Sequence, residues 1–484
     1  MAEPHFYNKD KLIALLNSYM GKTLGQADTK KVFARTITNP KITGIAGDVV
    51  EQSILGYPSD RDQRPDLNVD GVLIEVKTTG LRKSKQDPSK YEAKEPMSIT
   101  AVSPADIVNE EFSTSHFWAK IAHLLIIYYL YDSDQTVTAS EYARFPIKGY
   151  DFFQFNKEDR DILEHDWTLV RDFIIELQSN YDDYEAEYPR LSYELRPKLL
   201  YIDTAPKWPN NPRFRIKRSV VTTMWEASRG KHYEQLLQDV DTYSDLDRVC
   251  HDVSVRFKGK TVSDILASIE YNPKKIDKGI MEKVVIAMFG GHSSKMSDIE
   301  LFSKIGLISK TIVLTSRFKR TEDVKFISVD FDELRDEDRV YEESRMYEHF
   351  FDSTFLFSIF QEPHAKASLS ECVFLGFKRF NFGDAFVNGD LKETWNRLRD
   401  LLINDKLENV ICFGSDGNPI INPCGTVKSA PNFPKASEYN VFLRGTAQNS
   451  LEKKIEINGV PMTYQNYWVR GKYIVDKLSE MDYL

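Results

Sequence analysis

The spacing of apolar residues along the chain predicts helices alternating with short strands. Between Asp159 and Asn180, apolar residues such as Leu163, Trp167 and Val170 recur every three or four positions, which is the period of a helix buried on one face. The unbroken apolar run Leu124–Leu130 is typical of a strand covered on both faces. The same criteria predict the other main elements of the first half: helices at Lys9–Tyr19 and Gly47–Leu55, a hairpin at Asp66–Thr79, a strand at Met97–Val102 and a proline-rich loop or turn at Pro206–Pro212.

The predicted strand from Gly71 to Thr79 contains two charged residues, Glu75 and Lys77. Because side chains alternate along a strand, these two lie on the same face. Burying such a pair in an otherwise apolar strand is costly unless something binds it, and a divalent cation together with a phosphate would do so. Pro65–Asp66 precedes the strand. This is the pattern of a metal-dependent nuclease of the PD-(D/E)xK type.

The Glu-x-Lys part of this pattern is weak by itself, since roughly two chance occurrences are expected in a chain of this length. The sequence contains three: Glu75/Lys77, Glu92/Lys94 and Glu452/Lys454. The second lies in a polar stretch that indicates a loop, and the third opens a polar turn. Only the first is embedded in a strand and preceded by Pro-Asp. The alternative interpretation of the first is a solvated ion pair on an edge strand, which is a common arrangement.

Five segments, in the same order, resemble the MutH family of mismatch-repair nicking endonucleases. They correspond to its first metal-site helix, its catalytic hairpin, the segment of its second catalytic lysine and two DNA-reading elements: Gly44–Gly56, Pro65–Lys77, Thr114–Lys120, Leu195–Lys198 and Phe214–Arg218. The resemblance covers about residues 8 to 228. The doubled length is similar to that of the two-domain type II restriction endonucleases related to MutH, which are typified by GATC cutters.

The resemblance implies a mixed α/β (α+β) fold of the PD-(D/E)xK restriction-endonuclease type, built from two tandem MutH-like domains. Residues 1–228 would form the catalytic domain, and residues 229–484 would form a degenerate copy that binds DNA and acts allosterically. Length supports two domains independently, because 484 residues exceed one ordinary hydrophobic core.

The resemblance also implies a site for magnesium-dependent hydrolysis of a phosphodiester. Asp66 and Glu75, with the main-chain carbonyl of Val76, would hold one Mg²⁺ ion, and Glu51 would complete a second metal position. One lysine would orient or deprotonate the attacking water, and another would contact the phosphate or the same water. The implied catalytic residues are Glu51, Asp66, Glu75, Lys77 and Lys120.

The catalytic hairpin departs from the family pattern in its length. The spacing from Asp66 to Glu75 is two residues longer than the family's usual hairpin, so that Asp62 and Asp70 are rivals for the position of the metal-ligand aspartate. We prefer Asp66 because Pro65 precedes it and because Asp70 with the following glycine indicates a hairpin turn.

Two further departures concern the recognised DNA sequence: Thr43 stands where the family has a lysine, and Arg215 stands where it has a tyrosine. The resemblance still implies binding of double-stranded DNA. The stretch 206–231 supports this, because it carries seven Lys or Arg residues against one acidic residue, with aromatic residues between them. The predicted DNA-binding residues are Arg196, Lys198, Arg215, Lys217, Arg218, Arg444, Arg470 and Lys472.

The second half echoes the first. The matched segments are Asn272–Lys274 with Asn39–Lys41, Gly306–Leu314 with the catalytic strand, Ser353–Phe357 with Thr114–Lys120, Phe442–Gly445 with Leu195–Pro197, and Tyr467–Lys472 with Phe214–Arg218. In this alignment Lys310 takes the place of Lys77, Ile308 replaces Glu75, and no Pro-Asp precedes them. The second copy is therefore predicted to have lost its catalytic chemistry while keeping Arg444 and Arg470. The alternative is a domain that only supports the first.

Composition and charge are compatible with these predictions. A net charge of −9 argues against a protein coated in nucleic acid but permits a DNA enzyme with local basic patches. The polar N-terminus, the lack of a long apolar run and four scattered cysteines without zinc spacing predict a reduced, cytoplasmic chain that is independent of membranes. We expect a monomer in solution that can dimerise or loop on DNA, with a cognate DNA methyltransferase as a partner in function only. The alternatives are a strand-nicking repair endonuclease and a non-catalytic DNA-binding regulator.

Overall fold

The computed structural model describes residues 5–58, 64–84, 87–133, 137–207, 210–237, 239–319, 322–414, 416–422, 425, 427–446 and 453–484. The chain divides into two compact units. Unit 1 comprises the described residues up to 249, apart from the gaps, together with 289–307, and unit 2 comprises 250–288 and 308–484. Unit 1 therefore extends beyond residue 228 and includes a later segment. The boundary at 228/229 between separately folding domains stays a prediction.

Unit 1 contains nine strands among its described residues: β1 (His5–Tyr7), β2 (Leu67–Val69), β3 (Val72–Lys83), β4 (Tyr91–Ala93), β5 (Met97–Ala101), β6 (Leu124–Leu130), β7 (Ile147–Phe153), β8 (Ile202–Lys207) and β9 (Asn210–Ile216). Its α-helices up to residue 228 are α1 (Lys9–Tyr19), α2 (Leu24–Ala27), α3 (Arg35–Thr38), α4 (Ile45–Val49), α5 (Pro104–Ile107), α6 (His116–Ile121), α7 (Lys157–Asn180), α8 (Arg190–Leu195) and α9 (Arg218–Ser228). A π-helical turn, Val50–Leu55, continues α4, and 3₁₀ turns lie at Val32–Ala34, Phe112–Thr114, Ala139–Arg144 and Tyr184–Glu187.

The remaining helices are α10 (Tyr243–Phe257), α11 (Val262–Ser268), α12 (Met281–Met288), α13 (Glu300–Ile305, in unit 1), α14 (Phe331–Arg335), α15 (Arg345–Phe351), α16 (Asp384–Phe386), α17 (Lys392–Ile403) and α18 (Gly471–Ser479). The strands of the second half are β10 (Leu307–Leu314), β11 (Val324–Ser328), β12 (Thr354–Gln361), β13 (Val373–Phe380), β14 (Asn409–Ile411), β15 (Ser429–Pro431), β16 (Val441–Gly445), β17 (Ile455–Ile457), β18 (Val460–Met462) and β19 (Gln465–Val469). A second π-helical turn lies at Val387–Leu391, and 3₁₀ turns lie at Lys278–Ile280, Met296–Asp298, Tyr341–Glu343 and Leu369–Glu371.

The main sheet of unit 1 has the strand order β1-β2-β3-β6-β7, and β4 pairs with the far end of β3. β3 runs antiparallel to β2 and parallel to β6, with Glu75 opposite Leu124. The central strand β6 is buried along its whole length, as its apolar run predicts. The pairing confirms the hairpin predicted at Asp66–Thr79.

A second sheet in unit 1 has the order β5-β9-β8. The loop or turn predicted over Pro206–Pro212 is wrong at its two ends, since Pro206 lies in β8 and Pro212 in β9, whereas residues 208 and 209 lie outside the described residues. Pro206 falls at a register shift of the edge strand β8, where a missing N–H breaks no regular ladder. Pro212 still accepts a hydrogen bond through its carbonyl, from the N–H of Val102 at 2.7 Å.

The polar stretch before Glu92 does form a turn at residues 88–90, as predicted, but Glu92 itself belongs to the short strand β4 and its carboxylate pairs with Arg82 at 2.9 Å. The cross-strand pairing of Arg82 with Glu92 stabilises the strand at this polar position. The residue Glu452 lies outside the described residues.

The sheets of unit 2 repeat the strand order found in unit 1. The order β10-β12-β13 corresponds to β3-β6-β7, and β11-β19-β16 corresponds to β5-β9-β8. The register agrees in detail, because Val441 pairs with Val469 as Ile202 pairs with Ile216. The match of Tyr467–Lys472 with Phe214–Arg218 follows from the same register.

Two of the predicted echoes are misaligned. Phe442–Gly445 lies in β16, which corresponds to β8 and not to Leu195–Pro197. The counterpart of the helix start at Ser115 is Ser344, because each serine accepts a hydrogen bond at 3.0 Å from the N–H three residues later. Counting from these caps places His349 where Lys120 stands. Sequence comparison missed this because a serine cap is a common, short signal.

Within the ranges that the structure describes, no helix has both the length and the apolar content needed to cross a lipid bilayer.

Candidate active site

The β2–β3 hairpin brings Asp66 next to the strand that carries Glu75. Asp66 lies immediately before β2, and its Oδ2 accepts a hydrogen bond from the N–H of Val76 at 2.8 Å. Leu67 pairs with Ile74, which brings the start of β2 beside the middle of the hairpin's second strand. The two carboxylates therefore meet at the open end of the hairpin.

Asp70 lies at the opposite end of the same hairpin. Asp70 and Gly71 have φ values of +48° and +93°, as a tight two-residue turn requires. The exposed Asp70 carboxylate accepts a hydrogen bond from the N–H of Lys9 at 2.9 Å. Its role in the structure is thus to join the turn to the start of α1. Of the two rivals considered from sequence, Asp70 does not approach Glu75, and Asp62 lies outside the described residues.

Glu75 is buried between two lysines. Only 2% of its surface is exposed. The Nζ of Lys77 lies 2.7 Å from Oε1, and the Nζ of Lys120 lies 3.0 and 3.1 Å from Oε1 and Oε2. An isolated buried carboxylate would be costly, and the two ammonium groups offset that cost. The prediction that Glu75 and Lys77 share a face is confirmed.

Lys120 reaches this position from α6. The helix begins after Ser115, whose Oγ accepts the N–H of Trp118 at 3.0 Å. Phe117 packs against Phe214 of β9, with ring centroids 4.8 Å apart. This packing holds α6 between the two sheets of unit 1 and keeps the Lys120 side chain buried.

Glu51 enters the site from the π-helical turn Val50–Leu55. This segment confirms the helix predicted at Gly47–Leu55, although its π geometry was not predicted. Gly56, with φ of +83°, ends the turn, and the N–H of Tyr57 donates to the Glu51 carbonyl at 3.1 Å. Such π turns are rare in proteins, and those that occur often lie at functional sites.

The carboxylates perturb one another. Burial, followed by the charge of Asp66, raises the pKa of Glu51 to about 7. Burial and the charge of Glu75 raise the pKa of Asp66 to about 6, against the lowering influence of the Val76 N–H and the two lysines. Both carboxyls are therefore in an environment that disfavours their anionic form and that a nearby cation would relieve.

The donor set fits a hard divalent cation, because carboxylate and main-chain oxygens are the ligands that Mg²⁺ prefers. In the part of the chain that the structure describes, however, no three His, Cys, Asp or Glu side chains are already spaced as metal ligands. Glu75 explains this, since its oxygens are directed at Lys77 and Lys120. Binding a cation would require Glu75 to exchange at least one of these contacts.

The carboxylates and lysines line a cleft of about 450 Å³. Thr100 and His116 also line it, with Thr100 Oγ1 2.9 Å from His116 Nε2, and burial lowers the pKa of His116. The cleft further includes Tyr57, Asn211 and Arg213. Sequence reasoning missed these five residues. A signal existed for Arg213, which lies two positions before Arg215 on a strand in the basic stretch.

The predicted DNA-binding residues of unit 1 lie outside the lining of this cleft. Arg215 forms an ion pair with Asp203 of the neighbouring strand, and the Nζ of Lys217 donates to the carbonyl of Leu199. Lys198 is exposed just after α8, where Arg196 is half-buried. Arg218 begins α9 and is also half-buried.

A buried carboxylate holds the start of β8 in place. Asp166 of α7 accepts hydrogen bonds from the backbone N–H groups of Leu200, Tyr201 and Ile202 at 2.9, 2.7 and 2.8 Å. Three such bonds fix the approach of the chain to the β8–β9 hairpin. The strand that carries Arg213 is thereby attached to a long, rigid helix.

In unit 2, the predicted DNA-binding residues occupy one strand and one helix start. Arg444 is exposed on β16, pairs with Asp323 at 2.7 Å and lies over the Trp468 ring at 5.0 Å. Arg470 is half-buried at the start of α18, and the exposed Lys472 pairs with Asp476 at 2.6 Å.

Lys310 of unit 2 lies in a different environment from Lys77. Its Nζ donates to the Lys325 carbonyl at 2.9 Å and lies 4.9 Å from the centre of the Phe326 ring. Burial lowers the pKa of Lys310 to about 8. With Ile308 in the preceding same-face position, this strand lacks the carboxylate that Lys77 contacts in unit 1.

Comparison with known proteins agrees with this geometry. A family model described as the DNA mismatch repair enzyme MutH matches residues 55–166, a range that contains Asp66, Glu75, Lys77 and Lys120. The chain is also 24% identical to the type II restriction enzyme Sau3AI of Staphylococcus aureus, over 90% of this chain and 92% of that enzyme. Residues 55–166 thus match the MutH family model, and the mixed α/β chain around them is similar to a type II restriction enzyme along most of its length.

Proposed function

We propose that this protein is a site-specific deoxyribonuclease of the type II restriction class, which cleaves both strands of duplex DNA. The observation that carries the proposal is the buried Glu75, bracketed by Lys77 and Lys120 with Asp66 beside it, inside the MutH-like segment. Opposite charges gathered in one cleft suit hydrolysis of a phosphodiester, where a water must be activated and an anionic transition state stabilised. The similarity to a type II restriction enzyme supports the same reaction class.

The cofactor we propose is Mg²⁺. Asp66, Glu75 and the Val76 carbonyl would hold one ion, and Glu51 would complete a second position. A divalent cation supplies Lewis-acid charge to phosphate oxygens. The raised pKa values of Asp66 and Glu51 support this assignment, because both carboxyls would become more acidic beside a cation.

A charge count supports the combination of one cation and one phosphodiester. Three carboxylates, Glu51, Asp66 and Glu75, and two ammonium groups, Lys77 and Lys120, give a net charge of −1 when all are ionised. Adding one phosphodiester anion and a divalent cation at the first metal position alone brings the sum to zero, so the count supports that position and not the second. The low dielectric of a buried site favours such neutrality.

Each lysine then has a task on the substrate. With a cation held by Glu75, the ammonium groups of Lys77 and Lys120 that now contact its carboxylate would be available to the substrate in the cleft. Lys77 would orient the attacking water as an ammonium group, or accept its proton if the lysine had first released its own, and Lys120 would contact the phosphate or the same water. In the structure, the carboxylate oxygens of Glu75 hold both lysines in place.

We further propose recognition of GATC or a related short palindrome. Arg213 and Asn211 on β9 line the cleft, and arginine and asparagine are the side chains that most often read guanine and adenine in the major groove. The proposal includes a cytoplasmic enzyme, monomeric until it meets DNA, whose host sites are protected by a cognate methyltransferase.

For unit 2 we propose DNA binding without cleavage. The repeated strand order supports a common origin with unit 1, and Ile308 in place of a glutamate argues against a second catalytic centre. The exposed Arg444 beside Trp468 offers a cation next to an aromatic face. Two binding modules in one chain raise each other's effective concentration, so two-site DNA should be cut faster than one-site DNA.

One experiment separates the candidate functions. Unmethylated plasmid is incubated with the full-length protein and Mg²⁺: linear fragments support the restriction enzyme, nicked circles support a MutH-like nickase, and unchanged plasmid that is nevertheless bound supports a DNA-binding regulator. Glu75→Gln serves as the inactive control. Sequencing the ends of the fragments then gives the recognised site.

A further inference from the structure

Tyr57 presents a buried hydroxyl to the active-site cleft. Only 6% of the residue is exposed, and it lines the cleft together with Glu51, Asp66 and Glu75. Its hydroxyl has no hydrogen-bond partner among the described residues. A buried tyrosine hydroxyl nearly always has a partner, because an unmet one costs about 1–3 kcal/mol.

The position of Tyr57 is set from two sides. Its backbone N–H bonds the carbonyl of Glu51, so that the turn carrying Glu51 also fixes the tyrosine. Its ring stacks on His5, with centroids 4.2 Å apart and planes 15° apart. The N–H of His5 in turn donates to the carbonyl of Asp66 at 3.2 Å. The hydroxyl is thus held rigidly between the elements that carry two of the proposed metal ligands.

We infer that the Tyr57 hydroxyl is a positioning group of this site, which donates a hydrogen bond to an oxygen held between Glu51 and Asp66 when the site is loaded with cation and DNA. The oxygen belongs to a water or to the scissile phosphate; both are acceptors of the same kind. The inference rests on the proposed nuclease function and adds a residue to it.

The surroundings favour the donor role. A tyrosine hydroxyl ordinarily loses its proton only near pH 10, so Tyr57 remains a donor throughout the pH range in which a nuclease works. A neutral O–H amid carboxylates can donate to an oxygen without adding to the negative charge. It therefore orients an acceptor at little electrostatic cost.

Tyr7 provides a matched control. Its hydroxyl donates to the carbonyl of Leu55, in the same π-helical turn that carries Glu51. Tyr7 does not line the cleft. Tyr7→Phe and Tyr57→Phe each remove one oxygen near one segment. The first breaks a bond within the protein, whereas the second removes a hydroxyl that none of the described residues binds.

The test compares wild type, Tyr57→Phe and Tyr7→Phe as full-length proteins. Three quantities are measured: the melting temperature in EDTA, its rise on adding Mg²⁺, and the single-turnover cleavage rate on unmethylated plasmid over a range of Mg²⁺ concentrations. For Tyr57→Phe we expect an unchanged or higher melting temperature in EDTA, a smaller Mg²⁺-induced rise, and cleavage slower by about tenfold or more. For Tyr7→Phe we expect a melting temperature lower by about 2–4 °C and a cleavage rate within about threefold of wild type.

The outcomes separate this inference from the proposed function. Two outcomes overturn the inference alone. In the first, wild type and Tyr57→Phe cleave equally well. In the second, the melting temperature of Tyr57→Phe in EDTA falls as that of Tyr7→Phe does. In the second case the hydroxyl is bonded within the protein. Wild type that fails to cleave overturns the proposed function, and the Mg²⁺-induced rise then decides the inference. If wild type shows neither cleavage nor that rise, both are overturned.

Discussion

Lys304 of α13 and Asp159 of α7 form a fully buried ion pair, with the Lys304 Nζ 2.6 and 2.8 Å from the two Asp159 carboxylate oxygens. Tyr201 donates to the same carboxylate at 2.9 Å, and Glu300 contacts the same ammonium group at 2.6 Å. All four residues belong to unit 1, although Glu300 and Lys304 lie far beyond residue 228. The segment 289–307 is therefore part of the core of the catalytic unit.

Loss of Lys304 should destabilise the protein strongly. Lys304→Met leaves Asp159 as a buried carboxylate without its ammonium partner, and breaking such a pair typically costs about 3–5 kcal/mol. We expect urea denaturation to show this loss in the free energy of unfolding. The loss should appear in the first unfolding transition that involves unit 1. Lys157→Met, on the exposed start of the same α7 helix, should change it by less than about 0.5 kcal/mol.

A double variant tests the physical reason. Asp159→Leu combined with Lys304→Met removes both charges, and should recover most of the stability that Lys304→Met loses. Equal stability of Lys304→Met and wild type would mean that the ion pair contributes nothing to the stability of unit 1. The fragment 1–228 lacks a core component in either case, because Phe302 and Ile305 are also buried in unit 1.

Cleavage should rise with pH through the range in which the two perturbed carboxyls lose their protons. The pKa of Asp66 is raised to about 6 and that of Glu51 to about 7, so both are largely protonated at pH 5.5 and largely anionic at pH 8. Since anionic oxygens are needed to bind a cation, cleavage at limiting Mg²⁺ should increase steeply between these values. Saturating Mg²⁺ should shift the midpoint of the pH profile to lower pH, because the cation competes with the protons.

The same pKa shift predicts the stability of a variant. A carboxyl whose folded pKa lies above its unfolded value stabilises the folded state at low pH and loses that contribution as the pH rises through the folded pKa. For Glu51 the window runs from 4.5 to about 7. At pH 8 without metal, Glu51→Gln should therefore be more stable than wild type by about 1–3 kcal/mol in the free energy of unfolding, and should melt at a higher temperature. The variant should not cleave DNA. Glu164→Gln, at an exposed site of α7, should change neither property.

The catalytic hairpin was predictable from the sequence because its signals are local. The alternation of side chains along a strand placed Glu75 and Lys77 on one face, and the two side chains are in contact. The Asp70–Gly71 pair predicted the turn, and both residues have the positive φ values that such a turn needs. The contact of Lys120 with Glu75 is not local. It depends on the packing of α6 against β9, and only the family resemblance pointed to it.

The errors arose where tertiary pairing overrides local preference. Pro206 and Pro212 predicted a loop, yet an edge position and a register shift accommodate them in strands. The assignment of Arg215 and Lys217 to DNA binding stays a prediction, and the pairing of Arg215 with Asp203 across the hairpin is a contact that local sequence could not show. No pattern along the chain could show that residues near 304 return to complete unit 1, because that depends on a buried partner 145 positions away.

Removing the charged residues around Glu75 should abolish cleavage while DNA binding persists. Glu75→Ala, Lys77→Ala and Lys120→Ala each break a buried contact of the site, whereas phosphate contacts elsewhere supply most of the affinity. Lys83→Ala, on the exposed end of the same strand, should behave as wild type. Plasmid cleavage and gel-shift assays measure the two properties. Full cleavage by Lys77→Ala would contradict the assignment.

Asp66 and Asp70 should respond differently to the same change. Asp66→Asn should eliminate cleavage, because it removes a proposed metal ligand beside Glu75. Asp70→Asn should cleave normally and lose less than about 1 kcal/mol of stability, since it only weakens the bond to the N–H of Lys9. An inactive Asp70→Asn protein with normal stability would show that Asp70, and not Asp66, is the metal ligand. Asp62→Asn is expected to remain active.

The two arginines of β9 should have separable roles in DNA recognition. Arg213 is exposed and lines the cleft, so Arg213→Ala should weaken specific binding by about 1–3 kcal/mol and relax the cleaved sequence at one position. Arg215 forms an ion pair with Asp203, so Arg215→Ala should act mainly on the geometry of the hairpin and weaken binding to all sequences alike.

The same comparison applies to Arg196→Ala, which should resemble Arg213→Ala if Arg196 reads a base. Arg248→Ala, an exposed arginine of α10 outside the cleft, provides the control. Binding is measured at several salt concentrations, because loss of a phosphate contact lowers the salt dependence by about one unit of slope whereas loss of a base contact leaves it unchanged. A cleaved sequence that stays unchanged in Arg213→Ala, with normal affinity, would exclude Arg213 from recognition and leave sequence reading to other residues of unit 1.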